Sequence, residues 1–188
     1  EVIIADNLYN SKEDVLEKIK RITGKKFKFY KYDLTDKSKV EEIFENEKID
    51  GVIHFAGYKA VGESVSIPLT YYKNNIAGSI NLYELMKKYE VKNLVFSSSA
   101  TVYGNPEMVP ITEECKTGGT TNPYGTSKLF VEQILKDLYK SDDSLALPEM
   151  IRGVLASSIK IESTSSTMAK FSSLITIFSF SMTILSLR

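Results

Sequence analysis

Short apolar runs of strand type alternate with amphipathic helical stretches along most of the chain. Val2 to Ala5, Phe27 to Tyr32, Ile49 to Ala56 and Asn93 to Ser98 read as strands. Their hydrophobicity is largely continuous rather than alternating, as a parallel strand covered on both faces requires. Between them lie helical patterns. Val15, Leu16, Ile19 and Ile22 form an apolar stripe, with Ser11 placed to cap it and Gly24 to end it. Val40, Ile43 and Phe44 mark a second helix. Leu69, Tyr72, Ile76, Ile80, Tyr83 and Met86 give Pro68 to Tyr89 helical spacing. A connection carrying Pro106, Pro110, Gly118 and Gly119 leads to a last helix with Val131, Ile134, Leu135 and Leu138. This alternation predicts an α/β protein with a doubly wound parallel sheet.

Ligands approach such a sheet at the carboxyl ends of its strands. Those ends carry Asp6, Asp33, Phe55-Ala56-Gly57 and Ser97-Ser98-Ser99. An acid there suits the ribose hydroxyls of a dinucleotide, although Asp6 serves equally as a turn residue and Asp33 as a cap for the following helix. Gly57 and Gly62 would let backbone approach a phosphate, with Lys59 as charge partner.

Tyr124 and Lys128 are four residues apart, which on a helix places them on one face. A phenol ordinarily titrates near about 10, and an adjacent cation favours its phenolate. A strand-end serine could hydrogen-bond the same reacting oxygen. Alone, the pair is also ordinary helix surface.

The 24 basic and 24 acidic residues cancel, which argues against nucleic acid or an anionic membrane as partner. With one cysteine, Cys115, an internal disulfide is excluded and a reducing compartment fits. A single His54 beside that single cysteine leaves no zinc set. His54 reads as a core residue, Cys115 as incidental, and Tyr71, Tyr72, Tyr83 and Tyr89 as helix packing. Lys12, Lys18, Lys20 and Lys25 read as a solvated face.

From Asp6 to Leu147 the chain resembles the UDP-galactose 4-epimerase family of extended short-chain dehydrogenases/reductases. The pieces are Asp6-Asn7-Leu8 with Asn10-Ser11, then Val52 to Gly57 with Lys59 to Ser64. Tyr71 to Asn75, Ser97 to Gly104 and Pro123 to Lys128 complete the set. The resemblance implies a Rossmann-type sheet, NAD as cofactor, a UDP-sugar substrate, a cytoplasmic setting and, for a full-length member, a homodimer. It implies that Asp6 and Asn7 hold the adenosine ribose, with Leu8 and the turn through Asn10 and Ser11 beside it. Asp33 and Leu34 would flank the adenine. Phe55, Ala56, Gly57 and Lys59 would line the pyrophosphate and ribose, and Asn74 would also touch the cofactor. Ser99, Tyr124 and Lys128 would be catalytic and contact the cofactor, Ser99 and Tyr124 meeting the substrate too. Lys128 would lower the tyrosine pKa. Sister 4,6-dehydratases carry an Asp-Glu pair where this chain has Ala100-Thr101, so elimination of water is disfavoured. Epimerases of UDP-glucuronate or UDP-N-acetylhexosamines remain alternatives.

Two departures stand out. The family's first strand and Gly-x-x-Gly-x-x-Gly turn are absent from these residues. In the family order that strand is central, between those at Val2 and Ile49, so a row of backbone groups is expected to go unpaired. The opening at Glu1, without an initiator methionine and already in a strand-like run, reads as the start of a fragment. The resemblance also stops at Leu147, dividing the chain into a partial NAD-binding domain (1–147) and a divergent tail (148–188). Phe171 to Leu187 holds no charge, yet seven of its 17 residues are Ser or Thr. A membrane span needs about 20 predominantly apolar residues. A reading-frame shift or mispredicted exon is the expected origin of this tail, and exposed it would be prone to aggregate. The 188-residue chain is expected to have little activity and weak NAD retention. The competing expectation is a catalytically dead paralogue that pairs with a complete subunit through Pro68–Tyr89 and Tyr124–Tyr139.

Overall fold

The computed structural model describes residues 1–141, 149–151 and 183–185. In chain order the elements are β1 (Ile3–Ala5), α1 (Asp14–Thr23), β2 (Lys28–Tyr30), α2 (Lys37–Asn46), β3 (Gly51–His54), α3 (Val61–Ser66) and α4 (Pro68–Tyr72). A π-helical segment (Lys73–Ala77), α5 (Gly78–Lys88), β4 (Asn93–Ser97), a 3₁₀ turn (Ala100–Tyr103), α6 (Pro123–Ser141), β5 (Glu149–Ile151) and β6 (Thr183–Leu185) follow. The sheet order is β2-β1-β6-β3-β4-β5. Pairs β1–β2, β3–β4 and β4–β5 are parallel. From β1 the chain moves one way to β2, then crosses back to β3. Right-handed crossovers therefore put α1 and α2 on opposite faces. α2 packs on α5, and α6 packs on α4 and the π segment.

The expected gap at the centre of the sheet is closed. β6 lies there antiparallel to both neighbours, with Ile3, Ile4 and Ala5 opposite Leu185, Ile184 and Thr183, and Val52, Ile53 and His54 opposite the same three. Buried backbone groups must find partners, and the tail supplies them. The rest of the tail, including the expectations about its order, lies outside the described residues. The strands are shorter than their apolar runs suggest: β2 keeps Lys28 to Tyr30, in register with the three residues of β1.

α1 buries Val15 and Ile19 but leaves Ile22 68% exposed. Its N-cap is Glu13, without a side-chain cap bond, and Ser11 is engaged elsewhere. It stops at Gly24, whose N–H reaches the carbonyl of Lys20. α2 buries Val40, Ile43 and Phe44 as the spacing predicts. These side chains share one core with Ile3, Val52, Leu82, Leu85, Phe96, Val131 and Leu135.

The rod from Pro68 to Lys88 departs most from expectation. Leu69 is 81% exposed, and the inward face instead runs through Tyr71, Asn75, Ser79, Leu82 and Leu85. The π segment widens one turn by a residue, so a single 3.6-residue stripe misplaces the first half of the rod. No helix among the described residues is long and apolar enough to cross a membrane.

Proline at position 184 removes a ladder N–H from a strand flanked on both sides. Ile184→Pro is expected to cost about 1–3 kcal/mol, the toll of an unmatched buried backbone group. It should appear as a lower urea midpoint, and an unchanged midpoint would show that β6 contributes nothing.

Candidate functional site

Order in the sheet reverses between β1 and β3, the switch where α/β proteins bind ligands. On the β1 side, Asp6 is 4% exposed. Its Oδ1 accepts from the Leu8 N–H at 2.6 Å and the Ser11 hydroxyl at 3.2 Å. Its Oδ2 is buried without a hydrogen-bond partner among the described residues. Burial pushes the carboxyl pKa up, against the two hydrogen bonds. Leu8 turns the chain sharply at φ 58°, a conformation costly for a branched residue and met most often at functional turns.

Asn7 ties this turn to the next strand. Its Oδ1 accepts from the Tyr9 N–H at 2.9 Å, and its Nδ2 donates to Asp33 Oδ2 at 2.7 Å. Asp33 also accepts from the N–H and hydroxyl of Thr35. Burial raises its pKa, but the bonds from Thr35 and Asn7 outweigh it and hold the carboxylate below the ordinary range. Asp33 does not cap α2; Asp36 does, accepting from the Lys39 N–H.

On the β3 side, Gly57 has φ 151°, and a Cβ there would sit 3.1 Å from Asn75 Oδ1 and 3.6 Å from Lys128 Nζ. The positive φ and the 3.1 Å approach to Asn75 Oδ1 favour glycine here. Gly62 is different: it lies inside α3 with open space around it, so no close approach requires it. Asn75, 3% exposed, accepts from the Tyr58 N–H at 2.7 Å and donates to the Tyr58 carbonyl at 3.0 Å and to Ser127 Oγ at 2.9 Å. It thus fixes the loop after β3 to α6. Asn74 stands beside it on the same π segment, a feature common at functional sites. His54 is buried against Ser79 Oγ at 2.8 Å, and burial followed by the Lys128 charge lowers its pKa to about 3. It stays neutral, a core residue. Cys115 is a half-buried free thiol in the loop before α6, 3.4 Å from the Thr112 N–H.

α6 begins at Pro123, with the buried Asn122 Oδ1 accepting the Gly125 N–H at 2.8 Å, a capping pair that a helix start favours. At Gly125 a Cβ would meet the Thr101 carbonyl at 3.0 Å, so the helix start lies directly on the 3₁₀ turn. Lys128, 5% exposed, donates to the Ser97 carbonyl at 2.9 Å and lies 4.8 Å over the Phe96 ring. Burial, and then the nearby Lys59 charge, lower its pKa to about 8. Ser99 Oγ accepts from the N–H and hydroxyl of Thr101 at 3.2 and 2.9 Å. It is also a hydrogen-bond partner of the half-buried Tyr124 phenol. Burial pushes Tyr124 up, and Ser99 opposes that. The expected lowering by Lys128 is not what this geometry gives, because its ammonium is directed to the Ser97 carbonyl.

A cleft of about 30 Å³ lies between the halves. Asp6, Asn7, Asn10, Leu34, Ala56, Gly57 and Asn74 line it among the sequence-identified residues, and Ala5, Tyr32, His54 and Tyr58 join them. Leu8, Ser11, Asp33, Phe55, Lys59, Ser99, Tyr124 and Lys128 stand outside its lining. Leu8, Ser11 and Asp33 support Asp6 and Asn7 from behind. Lys59 is exposed on the loop after β3. Asn75 and Ser127 fall inside stretches that carry the family resemblance, and Asn122 precedes a helix-opening Pro, but sequence reasoning assigns none of the three a role.

Fold and site together define a Rossmann-type α/β protein with a Ser-Tyr-Lys group beside its switch point. The chain belongs to the family described as GDP-mannose 4,6 dehydratase, whose model matches residues 1–151. It is 56% identical over 147 residues to a UDP-glucose 4-epimerase of Haemophilus influenzae, covering 78% of this chain and 44% of that relative. It is 55% identical over 143 residues to the Bacillus subtilis UDP-glucose 4-epimerase, covering 76% and 42%. Among solved structures, the UDP-glucose 4-epimerase of Bifidobacterium longum in complex with NAD+ and UDP superposes with a TM-score of 0.77 at 53% identity, covering 80% of this chain and 44% of that one. The chain thus spans less than half the length of the curated relatives it matches.

Lys128 sets a pH signature. Below about pH 8 it is charged in the folded and unfolded states alike, and its desolvation cost is fully present. Between about 8 and its ordinary value of 10.5 the unfolded chain holds the extra proton, so stability rises with pH. Relative to Lys128→Met, the wild type should gain up to about 3 kcal/mol between pH 7 and pH 10.5, at 1.36 kcal/mol per pKa unit. Urea midpoints for both proteins at both pH values check this.

Proposed function

We propose that this chain carries the cofactor side and reacting group of an NAD-dependent isomerase interconverting UDP-galactose and UDP-glucose at sugar C4. The observation that carries the reading is the buried Oδ2 of Asp6 at the switch-point cleft, which has no hydrogen-bond partner among the described residues. A carboxylate oxygen in that state suits a ribose hydroxyl, and the relatives at over 50% identity are UDP-glucose 4-epimerases. Residues 1–147 carry the partial cofactor domain in this reading, and β5 and β6 from 148–188 complete its sheet.

Asp6 would hold the ribose, Asn7, Asn10 and Leu34 the adenosine end, and Ala56, Gly57 and Asn74 the central part of NAD. Tyr58, which lines the cleft, stacks on Tyr9 with 4.6 Å between ring centroids. Bound NAD supplies a reversible hydride acceptor for the sugar carbon. Tyr124, once ionised to its phenolate, would take the proton of the 4-hydroxyl and return it after the sugar has turned. Ser99 already accepts two hydrogen bonds from Thr101, so its own hydrogen is available to donate to the phenol or the sugar oxygen. Lys128 is mostly protonated at pH 7 and offers its charge as Tyr124 ionises. Ala100 and Thr101, in the 3₁₀ turn next to Ser99, hold no carboxyl group for eliminating water. A UDP-glucuronate or UDP-N-acetylhexosamine substrate is the alternative for the same trio. The lone thiol of Cys115 supports a reducing, cytoplasmic setting.

Calorimetric titration of the 188-residue chain with NAD tests the cofactor half. Asp6→Ala is expected to weaken binding about 10- to 100-fold, the worth of a hydrogen bond to a charged group; equal affinity would remove Asp6 from the site. Conversion of UDP-galactose should be small in this chain and abolished by Tyr124→Phe. Robust conversion that survives that substitution would overturn the reading.

Pairing of two copies through the α4–α5 rod and α6 is part of the same proposal. Leu69, Ile80 and Phe130 are exposed there, and an apolar groove of about 240 Å³ runs between α5 and α6. Ile80→Glu is expected to shift the protein from dimer to monomer in analytical ultracentrifugation at micromolar concentration.

A further inference from the structure

α6 meets the end of β4 at three successive turns. Tyr124 is partnered by the Ser99 hydroxyl, Lys128 by the Ser97 carbonyl, and Glu132 by the Ser98 hydroxyl, which donates to its Oε1 at 2.6 Å. Residues 124, 128 and 132 follow one another at four-residue spacing and therefore share a face. The first two contacts belong to the reacting group; the third does not.

Glu132 is 0% exposed, and Lys136 Nζ approaches its Oε2 at 4.0 Å from a half-exposed position. A carboxylate buried this deeply carries a large desolvation cost, and an apolar side chain of similar size would fill the space at least as well. The 2.6 Å contact has the length of a charge-assisted O–H···O bond. Ser98 is itself buried and lies between Ser97, whose carbonyl takes Lys128, and Ser99, which partners Tyr124. Any slip of α6 along β4 that changes the first two contacts must break the third.

We propose that Glu132 is a positioning residue: by accepting the Ser98 hydroxyl it fixes α6 on the end of β4 and so sets where Lys128 and Tyr124 stand. Its relevance to catalysis rests on the trio assigned above, but the geometric claim does not. The groups around Lys128 are Lys59 on the loop after β3, neutral His54 on β3, and Tyr124 and Glu132 on α6 itself. Opening the α6–β4 seam admits water to Lys128 and relieves its burial.

The test is the titration of Lys128 in the 188-residue chain, followed by NMR of ε-¹³C-lysine and assigned with Lys128→Arg. The wild-type midpoint is expected near about 8. Glu132→Ala should raise it by at least one pH unit while the circular dichroism stays that of the wild type. Glu132→Gln, which keeps an acceptor oxygen, should hold it within half a unit. Ser98→Ala should reproduce Glu132→Ala, and the double variant should add nothing. An unshifted Lys128 in folded Glu132→Ala overturns the proposal. If that variant does not fold, an unshifted Lys128 in Ser98→Ala overturns it instead. NAD binding and turnover play no part in the readout, so failure of the proposed reaction would leave this result intact.

Discussion

Every part of the site depends on the pairing of backbone groups between β1 and β3. These strands do not touch each other; each is hydrogen-bonded to β6, which lies antiparallel between them. Asp6 and its supporting turn belong to the β1 half. Gly57, Asn75, Ser99, Tyr124 and Lys128 belong to the β3 half. A second bridge runs beneath the sheet, where α2 packs on α5 and the Asn81 side chain donates to the carbonyls of Leu34 and Thr35. The helix contact sets the distance between the halves, and the ladder sets their register. The reversed direction of β6 satisfies the ladder because an extended strand offers donors and acceptors to either side in both orientations.

What the sequence disclosed was governed by burial on regular elements. The runs at Val2 and Ile49, and the stripe at Val40, Ile43 and Phe44, follow a single period and lie in the core as expected. The rod at Pro68 was legible as a helix but not in its facing, because the π segment inserts a residue into the turn. Sequence spacing cannot register that shift, and it is what places Asn74 at the cleft and Asn75 beneath the loop. The central strand was illegible for a different reason. Thr183 to Leu185 carries no pattern that names its partners, and its place is set by a vacancy elsewhere in the sheet.

The helix face shared by Tyr124 and Lys128 was legible from their spacing, and their electrostatics were not. Ser99 meets the Tyr124 phenol, while the Lys128 ammonium turns to the Ser97 carbonyl. A cation four residues from a phenol was expected to lower that phenol. Here both groups are desolvated instead, Tyr124 upward and Lys128 downward to about 8. Spacing reports proximity, whereas pKa depends on burial and on which partner each polar atom meets, and neither is written in a motif.

That difference bears on how such a trio reaches working pH. Desolvation moves the phenol up from 10.0 and the ammonium down from 10.5 to about 8, so the two groups part on the pH scale and the phenol holds its proton more firmly than the ammonium does. A lysine held near about 8 still carries its charge at pH 7 and yields it readily. The arrangement requires that Lys128 stay dry while Tyr124 remains reachable at the strand end. α6 meets both conditions because its first turn is seated on Thr101 through Gly125, and its third is fixed to Ser98 through Glu132. Tyr124 and Lys128 are thus held by these two seams.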